Sequence, residues 1–447
     1  MGLIVFIPGL VSIAWCLVYS ARRAFLDVYL PVMLLIPMTY TYKIQGLPEF
    51  SFARAAILPV AVFFILQRGK AWRFGWMDLV VCLYVCGITI AEHVNNGWQP
   101  AQNVLFGAVC ENLLPYALAK GFFSQQEGFA RQFARRMIVI LFAVAMISVV
   151  EFRLGFNVFR FIWARFFPNA EPNIFVQYRW GFARIAGSFE HAIFAGLIFG
   201  IALLLHLWLE SSGAWEAGFR YLPKGYVSKP LVLKAGLVLG LAMTISRGPW
   251  LALFCGLLAV QIARRGRMGM RFLAVTGALA IGFGALYIAA NHSKQDENDS
   301  REDRRSMAYR ANLFERYEPA LMKHLVEGYG TITWPKADDM PSVDNAYLHQ
   351  ALCYGLLGLC PLALMLLLAC GRLIFTEDRD DAERHAHTLR FALMGVLVCF
   401  VLNFSTVYMG NQSVPLLFFF TGAIEGHLLK PRLASRVVAA GSWVPVV

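Results

Sequence analysis

Long apolar runs recur along almost the whole chain, and they restrict it to a helical membrane architecture. Hydrophobic residues make up 58% of the 447 positions, and charged residues make up only 15%. In lipid, backbone groups must pair within a helix or a closed barrel, and a helix needs about 20 apolar residues to cross. The predicted fold class is therefore all-α: a polytopic integral membrane protein with about 13 transmembrane helices.

The predicted spans are separated by short polar connections, with one long exception. In chain order they are 3–20, 26–42, 54–67, 76–92, 103–119, 137–152, 187–208, 230–246, 248–263, 272–290, 346–371, 391–410 and 413–429. The first is interpreted as a retained helix, because it has no basic n-region and no small-residue cleavage site before Arg22. Residues 1–447 are thus expected to form a single integral membrane unit.

Lysine and arginine residues collect in every second connection, which predicts the topology. Basic connections are typical of the cytoplasmic side, so we expect 264–271 and the C-terminal 430–436 in the cytoplasm and the N-terminus outside. On the opposite side we expect the remaining connections, which are 43–53, 93–102, 153–186, the Ser246–Gly248 turn, 291–345 and 410–413.

The long exception, 291–345, is a polar island and the expected periplasmic loop. It holds eight Lys/Arg and eleven Asp/Glu, a net charge of −3, whereas the whole chain carries +12. Apolar residues at helical spacing between 304 and 326 predict a helix lying on the outer surface. Aqueous chemistry is expected at this loop.

The cysteines and histidines favour structural roles. All nine cysteines lie in apolar stretches, where they fit small core residues better than disulfides or a thiolate metal site. His292, His324 and His349 have no partner at metal-binding spacing. We therefore predict no metal, no cofactor and no nucleic-acid partner.

Two arginines stand at predicted helix ends on the side of the island. Arg184 precedes one apolar helix and Arg247 lies in the short turn before another. An arginine at membrane depth is costly unless it is paired or faces water, which marks a functional candidate, although an arginine reaching to the interface is the alternative. The planar guanidinium group of an arginine can donate two parallel hydrogen bonds to a phosphate group. Together these arginines fit a ligand with a phosphate head and a lipid tail.

The 155–167 segment combines aromatic residues at helical spacing with Arg160 and Arg165. This pattern is typical of a helix lying in the membrane interface, next to a lipid ligand. Aromatic residues that only anchor the protein at the membrane interface would explain the pattern equally well.

Several short motifs lie on this side in a fixed order. They are Arg184-Ile-Ala-Gly-Ser-Phe-Glu-His191, Ser246-Arg-Gly248, Tyr309-Arg-Ala-Asn-Leu-Phe314, Gly328-Tyr-Gly330 and Val343-Asp-Asn-Ala-Tyr-Leu348, followed by Gly355 and Gly358. In their order and spacing they resemble the bacterial O-antigen ligases and O-antigen polymerases, including exopolysaccharide polymerases. The resemblance covers roughly residues 180–360 at motif level.

The resemblance implies an enzyme of the bacterial inner membrane. It would transfer a glycan from an undecaprenyl-pyrophosphate carrier to an acceptor sugar at the periplasmic face, without a metal and with inversion at the anomeric carbon. Arg184, Arg247 and Arg310 are the candidates for neutralising the leaving pyrophosphate.

Asp344 is the candidate base for the acceptor hydroxyl. Ligases of this family commonly have a histidine at this position, so the aspartate puts a histidine mechanism in doubt and is more similar to the polymerases. The alternative is that Asp344 and Asn345 form a helix N-cap pair. Asn345, Tyr347, Glu190 and His191 are the further substrate-binding candidates, and helix-end packing is the alternative for the last two.

The leading hypothesis is a polymerase that joins lipid-linked repeat units. A ligase that transfers the finished glycan to a lipid core or a protein is the nearest alternative. A transporter of lipid-linked sugars is the alternative from another class, but transporters have broken helices and buried ionisable groups near the midplane, and the spans here are nearly free of charge at their centres. Expected partners are the lipid-linked donor, an acceptor glycan and the bilayer, with polysaccharide export or chain-length proteins as further candidates.

Overall fold

The computed structural model describes residues 2–68, 72–125, 128–167, 176–215, 228–264, 268–294, 302–336, 343–376 and 384–428. These residues are mostly helical. Their α-helices are α1 (Ile7–Val18), α2 (Ala21–Ala24), α3 (Leu30–Leu35), α4 (Phe52–Arg68), α5 (Trp76–Asn96), α6 (Trp98–Ala108), α7 (Leu114–Gln125), α8 (Phe129–Leu154), α9 (Val158–Ala164), α10 (Ala192–Ser211), α11 (Lys229–Met243), α12 (Arg247–Ala263), α13 (Met268–Lys294), α14 (Glu302–Lys323), α15 (Gly330–Thr333), α16 (Ala346–Phe375), α17 (Arg384–Asn403) and α18 (Ser413–Leu428).

A few short elements join these helices. A 3-10 turn (Gly2–Phe6) precedes α1, and π-helical turns link α2 to α3 (Phe25–Tyr29) and α6 to α7 (Val109–Leu113). Two antiparallel ladders of two residues each complete the described fold: β1 (Thr41–Tyr42) with β2 (Phe50–Ser51), and β3 (Tyr178–Arg179) with β4 (Phe182–Ala183).

Within the described ranges, five helices are long and apolar enough to cross a membrane: α5, α8, α10, α13 and α16. Shorter apolar helices include α4, α12, α17 and α18. The mostly helical prediction is confirmed, and the length and composition of these helices fit a polytopic membrane protein. Each predicted span overlaps a helix or a run of helices, and the total of about 13 crossings stays a prediction.

Helix α10 lies at the centre of the bundle. It is apolar on all sides, and 94% of its most apolar 18-residue window is buried. A helix of this kind is stable only when other helices cover it, and α8, α11, α12 and α17 pack around it. The segment that precedes α10 is therefore held at the middle of one end of the bundle. We call the end at which α10, α12 and α16 begin the site end.

Three predicted spans include five or more residues at one end that are not helical in the structure. The 26–42 span ends at Leu35, because Ile36 is extended before Pro37 and a residue before proline is disfavoured in a helix. The 391–410 span ends at Asn403, and 404–412 is a connection. In the third, residues 187–191 precede α10 as a turn rather than as part of the helix.

The predicted span 103–119 contains a carboxylate at a position where the α-helix changes to a π-helical turn. It consists of α6, a π-helical turn and α7, and Glu111 lies in the π-helical turn. Arg54 Nε donates to Glu111 Oε1 at 2.8 Å. A paired carboxylate is far less costly in an apolar bundle than an isolated one.

Helix α16 is interrupted, which corrects the uninterrupted span predicted for 346–371. Gly355 has φ 57° and ψ −152°, a conformation open to glycine. The island supplies the missing backbone partners, because Tyr329 N donates to Leu352 O (2.9 Å) and Leu356 N donates to Leu325 O (2.8 Å). Part of the island therefore packs into the break in α16.

The island also contains the predicted surface helix. The expected helix over 304–326 is confirmed as α14, whose Leu313 and Tyr317 pack with Val343, Leu348 and Leu352. The charged stretch 295–301 lies outside the described residues.

A buried carboxylate on α5 fastens the end of the island. Glu92 is fully buried and accepts hydrogen bonds from Thr331 N (2.7 Å), Thr331 Oγ1 (3.0 Å) and Asn96 Nδ2 (2.8 Å). Glu92 therefore attaches α15 to the C-terminal end of α5.

Candidate active site

Three polar parts of the chain meet at the site end: the segment before α10, the turn before α12 and the start of α16. Arg184, in the first of these, contacts the turn before α12. The connection 404–412 joins the other pair, because Ala346 N at the start of α16 donates to Phe404 O at 2.7 Å and Gln412 Nε2 donates to Ser188 O before α10 at 3.2 Å. The three parts thus form one packed region.

Arg184 follows the β3–β4 hairpin, and its guanidinium is held in place by three contacts. Nε donates to Thr244 O (3.2 Å), Nη2 to Ser246 Oγ (2.8 Å) and Nη1 to Gln177 Oε1 (2.5 Å). Two of these acceptors belong to the turn between α11 and α12. Arg184 therefore has a fixed position relative to that turn.

The turn between α11 and α12 is strained at Ile245. This β-branched residue has φ 44°, which is rare for such a side chain and costs roughly 1–3 kcal/mol. The hairpin region stabilises the turn, because Arg179 Nη1 donates to Ile245 O (3.0 Å) and Ile185 N donates to Met243 O (3.2 Å). Strain held in this way is typical of functional sites.

Arg247 begins α12 directly after this turn. Its guanidinium lies over the Trp180 ring, 5.9 Å from the centroid, in a cation–π contact. Arg247 and Arg184 thus share one turn but have different surroundings. Arg184 lines the cavity described next, whereas Arg247 is not among its lining residues.

A cavity of about 230 Å³ opens beside Arg184. Its volume is sufficient for several water molecules or a small polar head group. The lining includes two arginines, two glutamates and a tyrosine, and its polar members are Glu151, Arg160, Gln177, Arg184, Glu190, His191 and Tyr408. Three predicted site residues, Arg184, Glu190 and His191, are therefore brought together.

Glu190 and Tyr408 form a close pair in this cavity. Tyr408 Oη donates to Glu190 Oε2 at 2.5 Å. Burial raises the pKa of Glu190 above its ordinary value, while the Tyr408 hydrogen bond and the Arg160 charge oppose the rise. Burial and the Glu190 charge raise the pKa of Tyr408, and Asp344 adds to this. The phenol therefore remains the donor and the carboxylate the acceptor.

Asn345 takes the capping role that the sequence allowed for the Asp344–Asn345 pair. Its Oδ1 accepts from Leu348 N at 3.0 Å at the start of α16, and its Nδ2 donates to Ser405 O at 3.3 Å. Asp344 precedes the cap, and its charge acts on Tyr408. Asp344 therefore lies near the Glu190–Tyr408 pair.

Other predicted site residues have structural contacts of their own. His191 is the N-cap of α10, with Nδ1 accepting from Ile193 N at 3.2 Å. Tyr347 Oη donates to Val401 O at 2.9 Å. Arg310 belongs to α14, but its side chain lies outside the described part of the chain.

The sequence did not identify Glu151 or Tyr408 as site residues, and it treated Arg160 as an interfacial arginine. Glu151 lies near the end of an apolar helix, and Tyr408 lies inside a predicted span. The position of its carboxylate in an apolar stretch could have indicated Glu151 as a site residue. Nothing local distinguished Tyr408, whose role depends on packing against the turn before α10.

In the part of the chain that the structure describes, no group of three or more His, Cys, Asp or Glu side chains could hold a metal ion.

The model of a family of membrane glycosyltransferase-type enzymes matches part of the chain. This family is described as O-antigen ligase and the match covers residues 232–363, so the chain carries an O-antigen ligase family domain there. The resemblance recognised from the motifs is thereby confirmed over these residues. No curated protein gives a significant match to the chain.

The matched region covers only part of the site. It includes Arg247, Asp344 and Asn345 and begins after Arg184 and Glu190. The cavity is lined by Arg184, Glu190 and Tyr408, which lie on both sides of the matched region in the sequence.

Proposed function

We propose that this protein polymerises O-antigen or exopolysaccharide repeat units at the periplasmic face of the bacterial inner membrane. The donor would be an undecaprenyl-pyrophosphate-linked oligosaccharide and the acceptor a second glycan. One observation carries the proposal: in a chain with an O-antigen ligase family domain, a cavity at the site end holds Arg160 and Arg184 beside the Glu190–Tyr408 pair.

The reaction requires one bond to form and one to break at the anomeric carbon. The acceptor oxygen attacks this carbon on the face opposite the pyrophosphate, which inverts its configuration. The bond to the pyrophosphate oxygen breaks, and the acceptor proton passes to a carboxylate. Asp344 is the proposed base, and Glu190 is the second candidate because it lines the cavity.

Arginines would stabilise the charge that develops on the leaving pyrophosphate without a metal. The guanidinium of Arg184 is already held by Thr244 and Ser246, so little reorganisation accompanies the reaction. Arg247 and Arg310 are proposed for the same task. Asn345, Tyr347 and His191 would act in substrate binding or in supporting its surroundings.

Reconstitution with a defined donor tests this function. The purified protein in lipid nanodiscs would receive an undecaprenyl-pyrophosphate-linked repeat unit, with and without a chelator. A ladder of lipid-linked oligomers that persists in the chelator is expected. Failure to form any glycosidic bond with donors of several repeat structures would contradict the proposal.

A ligase differs only in its acceptor. The same reconstitution with a lipid core or a protein acceptor separates the two activities, because a ligase gives one transfer per acceptor and no ladder. Export or chain-length proteins are candidate partners, and their addition would change the ladder's length distribution.

The break in α16 is a feature that transporters also have. Broken helices in transporters leave backbone groups for substrates and ions. At Gly355, however, Leu325 O and Tyr329 N pair with α16 backbone groups, and the charged Glu92 and Glu151 lie near helix ends. Movement of a labelled lipid-linked sugar across liposomes without product formation would support the transporter.

The periplasmic location of the island needs its own test. A cysteine introduced at exposed Thr333 in a variant without native cysteines should react with an impermeant reagent in cells with a permeabilised outer membrane. A cysteine at exposed Met268, predicted to be cytoplasmic, should react only after rupture of the inner membrane. The reverse result would place the site on the cytoplasmic face.

A further inference from the structure

Arg160 lies at the cavity, although the sequence indicated only an interfacial helix there. It is on α9, it lines the same cavity as Arg184, and its Nη2 donates to Glu190 O at 3.0 Å. Burial lowers the pKa of Arg160, while the negative charges of Glu151 and Glu190 oppose this effect. The nearby carboxylates thus favour the charged form of Arg160 inside the cavity.

A buried carboxylate organises the turn that follows Arg184. Glu151, only 2% exposed, accepts hydrogen bonds from Gly187 N (2.8 Å), Ala186 N (3.2 Å) and Asn157 Nδ2 (2.8 Å). A buried carboxylate with three donors is well satisfied, and it holds the backbone that supplies them. Glu151 therefore fixes the segment two residues beyond Arg184.

Asn157 connects this segment to the helix of Arg160. Its Oδ1 caps α9 by accepting from Arg160 N at 3.0 Å. Its Nδ2 donates to Glu151 Oε1 and also to Gly187 O, at 2.9 Å. One amide side chain thus links the N-terminus of α9, the end of α8 and the turn that follows Arg184.

We propose that Arg160 is a pyrophosphate-binding residue of the cavity, and that Glu151 and Asn157 are positioning residues that set its place relative to Arg184. The inference rests on the proposed function. A diphosphate group offers several anionic oxygens, and two arginines that line the same cavity can bind different ones. Positions fixed before binding keep the ordering cost low.

Arg165 provides a matched comparison at the C-terminal end of the same helix. It follows α9 directly, it carries the same charge, and it is exposed. Arg165→Gln therefore makes the same charge change outside the cavity as Arg160→Gln does inside. A general effect of positive charge near the membrane surface would be equal in both variants.

Direct binding tests the role of Arg160. The purified protein in nanodiscs would be titrated with undecaprenyl pyrophosphate and, separately, with inorganic pyrophosphate. Arg160→Gln should weaken binding on the order of ten- to a hundredfold, Arg160→Lys should recover only part of it, and Arg165→Gln should bind like wild type.

Each outcome of this titration has a distinct meaning. Wild-type binding that survives in Arg160→Gln overturns the inference and leaves the proposed function standing. A wild-type protein that binds neither probe and transfers no glycan overturns the proposed function. Binding of the lipid form alone, lost in Arg160→Gln, supports the inference and shows that the lipid tail is also required.

The positioning role is tested by Asn157→Asp. Aspartate caps a helix about as well as asparagine, so α9 keeps its cap while both Nδ2 contacts are lost and a second carboxylate faces Glu151. The donor KM should rise about tenfold or more. A merely structural role would lower the yield of folded protein without changing KM.

The donor KM of Asn157→Asp decides the positioning role. An unchanged donor KM in the folded variant would overturn this role.

Discussion

Tyr408 Oη lies 2.5 Å from Glu190 Oε2, so that a phenol from the α17–α18 connection covers a carboxylate from the turn before α10. The two residues are far apart in sequence, and both line the cavity that holds Arg160 and Arg184. Because the hydrogen bond stabilises the ionised carboxylate, it opposes the increase in pKa that burial causes at Glu190.

Tyr408→Phe should shift the pH dependence of transfer. Loss of the hydrogen bond removes an effect that lowers the Glu190 pKa, so this pKa should rise further and the carboxylate should be ionised only at higher pH. If ionised Glu190 is needed, the acidic limb of kcat/KM moves to higher pH. A profile with the wild-type shape and position would exclude Glu190 from proton handling.

Arg184→Lys should lower transfer on the order of 100- to 1,000-fold, because one ammonium cannot replace a guanidinium held at Thr244, Ser246 and Gln177. Turnover of a lipid-linked donor measures the effect. The matched control is Arg153→Lys, since Arg153 is exposed near the end of α8. Near-wild-type turnover of Arg184→Lys would remove Arg184 from the site.

Asp344→Asn should reduce transfer about 100-fold or more if Asp344 is the base. The α16 cap cannot account for such a loss, because Asn345 forms it. Donor binding measured alongside turnover separates two roles: retained binding indicates the base, and lost binding indicates that Asp344 orients an arginine. In contrast, Asn345→Ala should cost about 1 kcal/mol of stability.

Glu92→Ala should destabilise the protein by about 2–3 kcal/mol, because Thr331 and Asn96 lose their buried acceptor. Thermal unfolding in detergent and proteolysis of the island measure the effect. Glu210→Gln removes a partly exposed ion pair with Lys234 and should cost about 0.5 kcal/mol or less. Equal effects of the two substitutions would contradict the anchoring role of Glu92.

Gly355→Ala should disturb the contact between the island and α16. The added methyl group would overlap Val326 O, and the positive φ disfavours alanine, so a loss of about 1–3 kcal/mol is expected. Gly277→Ala on α13 meets no atom within 4 Å and should be neutral or stabilising by about 0.5–1 kcal/mol. Thermal unfolding of both variants gives the comparison.

Local patterns were sufficient to predict most of the helices. Apolar runs and helical spacing indicated α5, α10 and the surface helix α14 because helix formation depends on residues a few positions apart. The same reasoning missed the interruption of α16 at Gly355. That break forms because Leu325 and Tyr329 supply backbone partners from a distant part of the chain.

The motifs on one side of the predicted topology also indicated Arg184 and Glu190 as candidate site residues. Both line the same cavity in the structure. The sequence by itself determined which residue types stand at the helix ends, since charge is excluded from apolar spans. Only the tertiary structure decided that Arg160 and Tyr408 join them, and that Asn345 caps α16. Those contacts depend on the packing of helices distant in sequence, which periodicity and spacing do not specify.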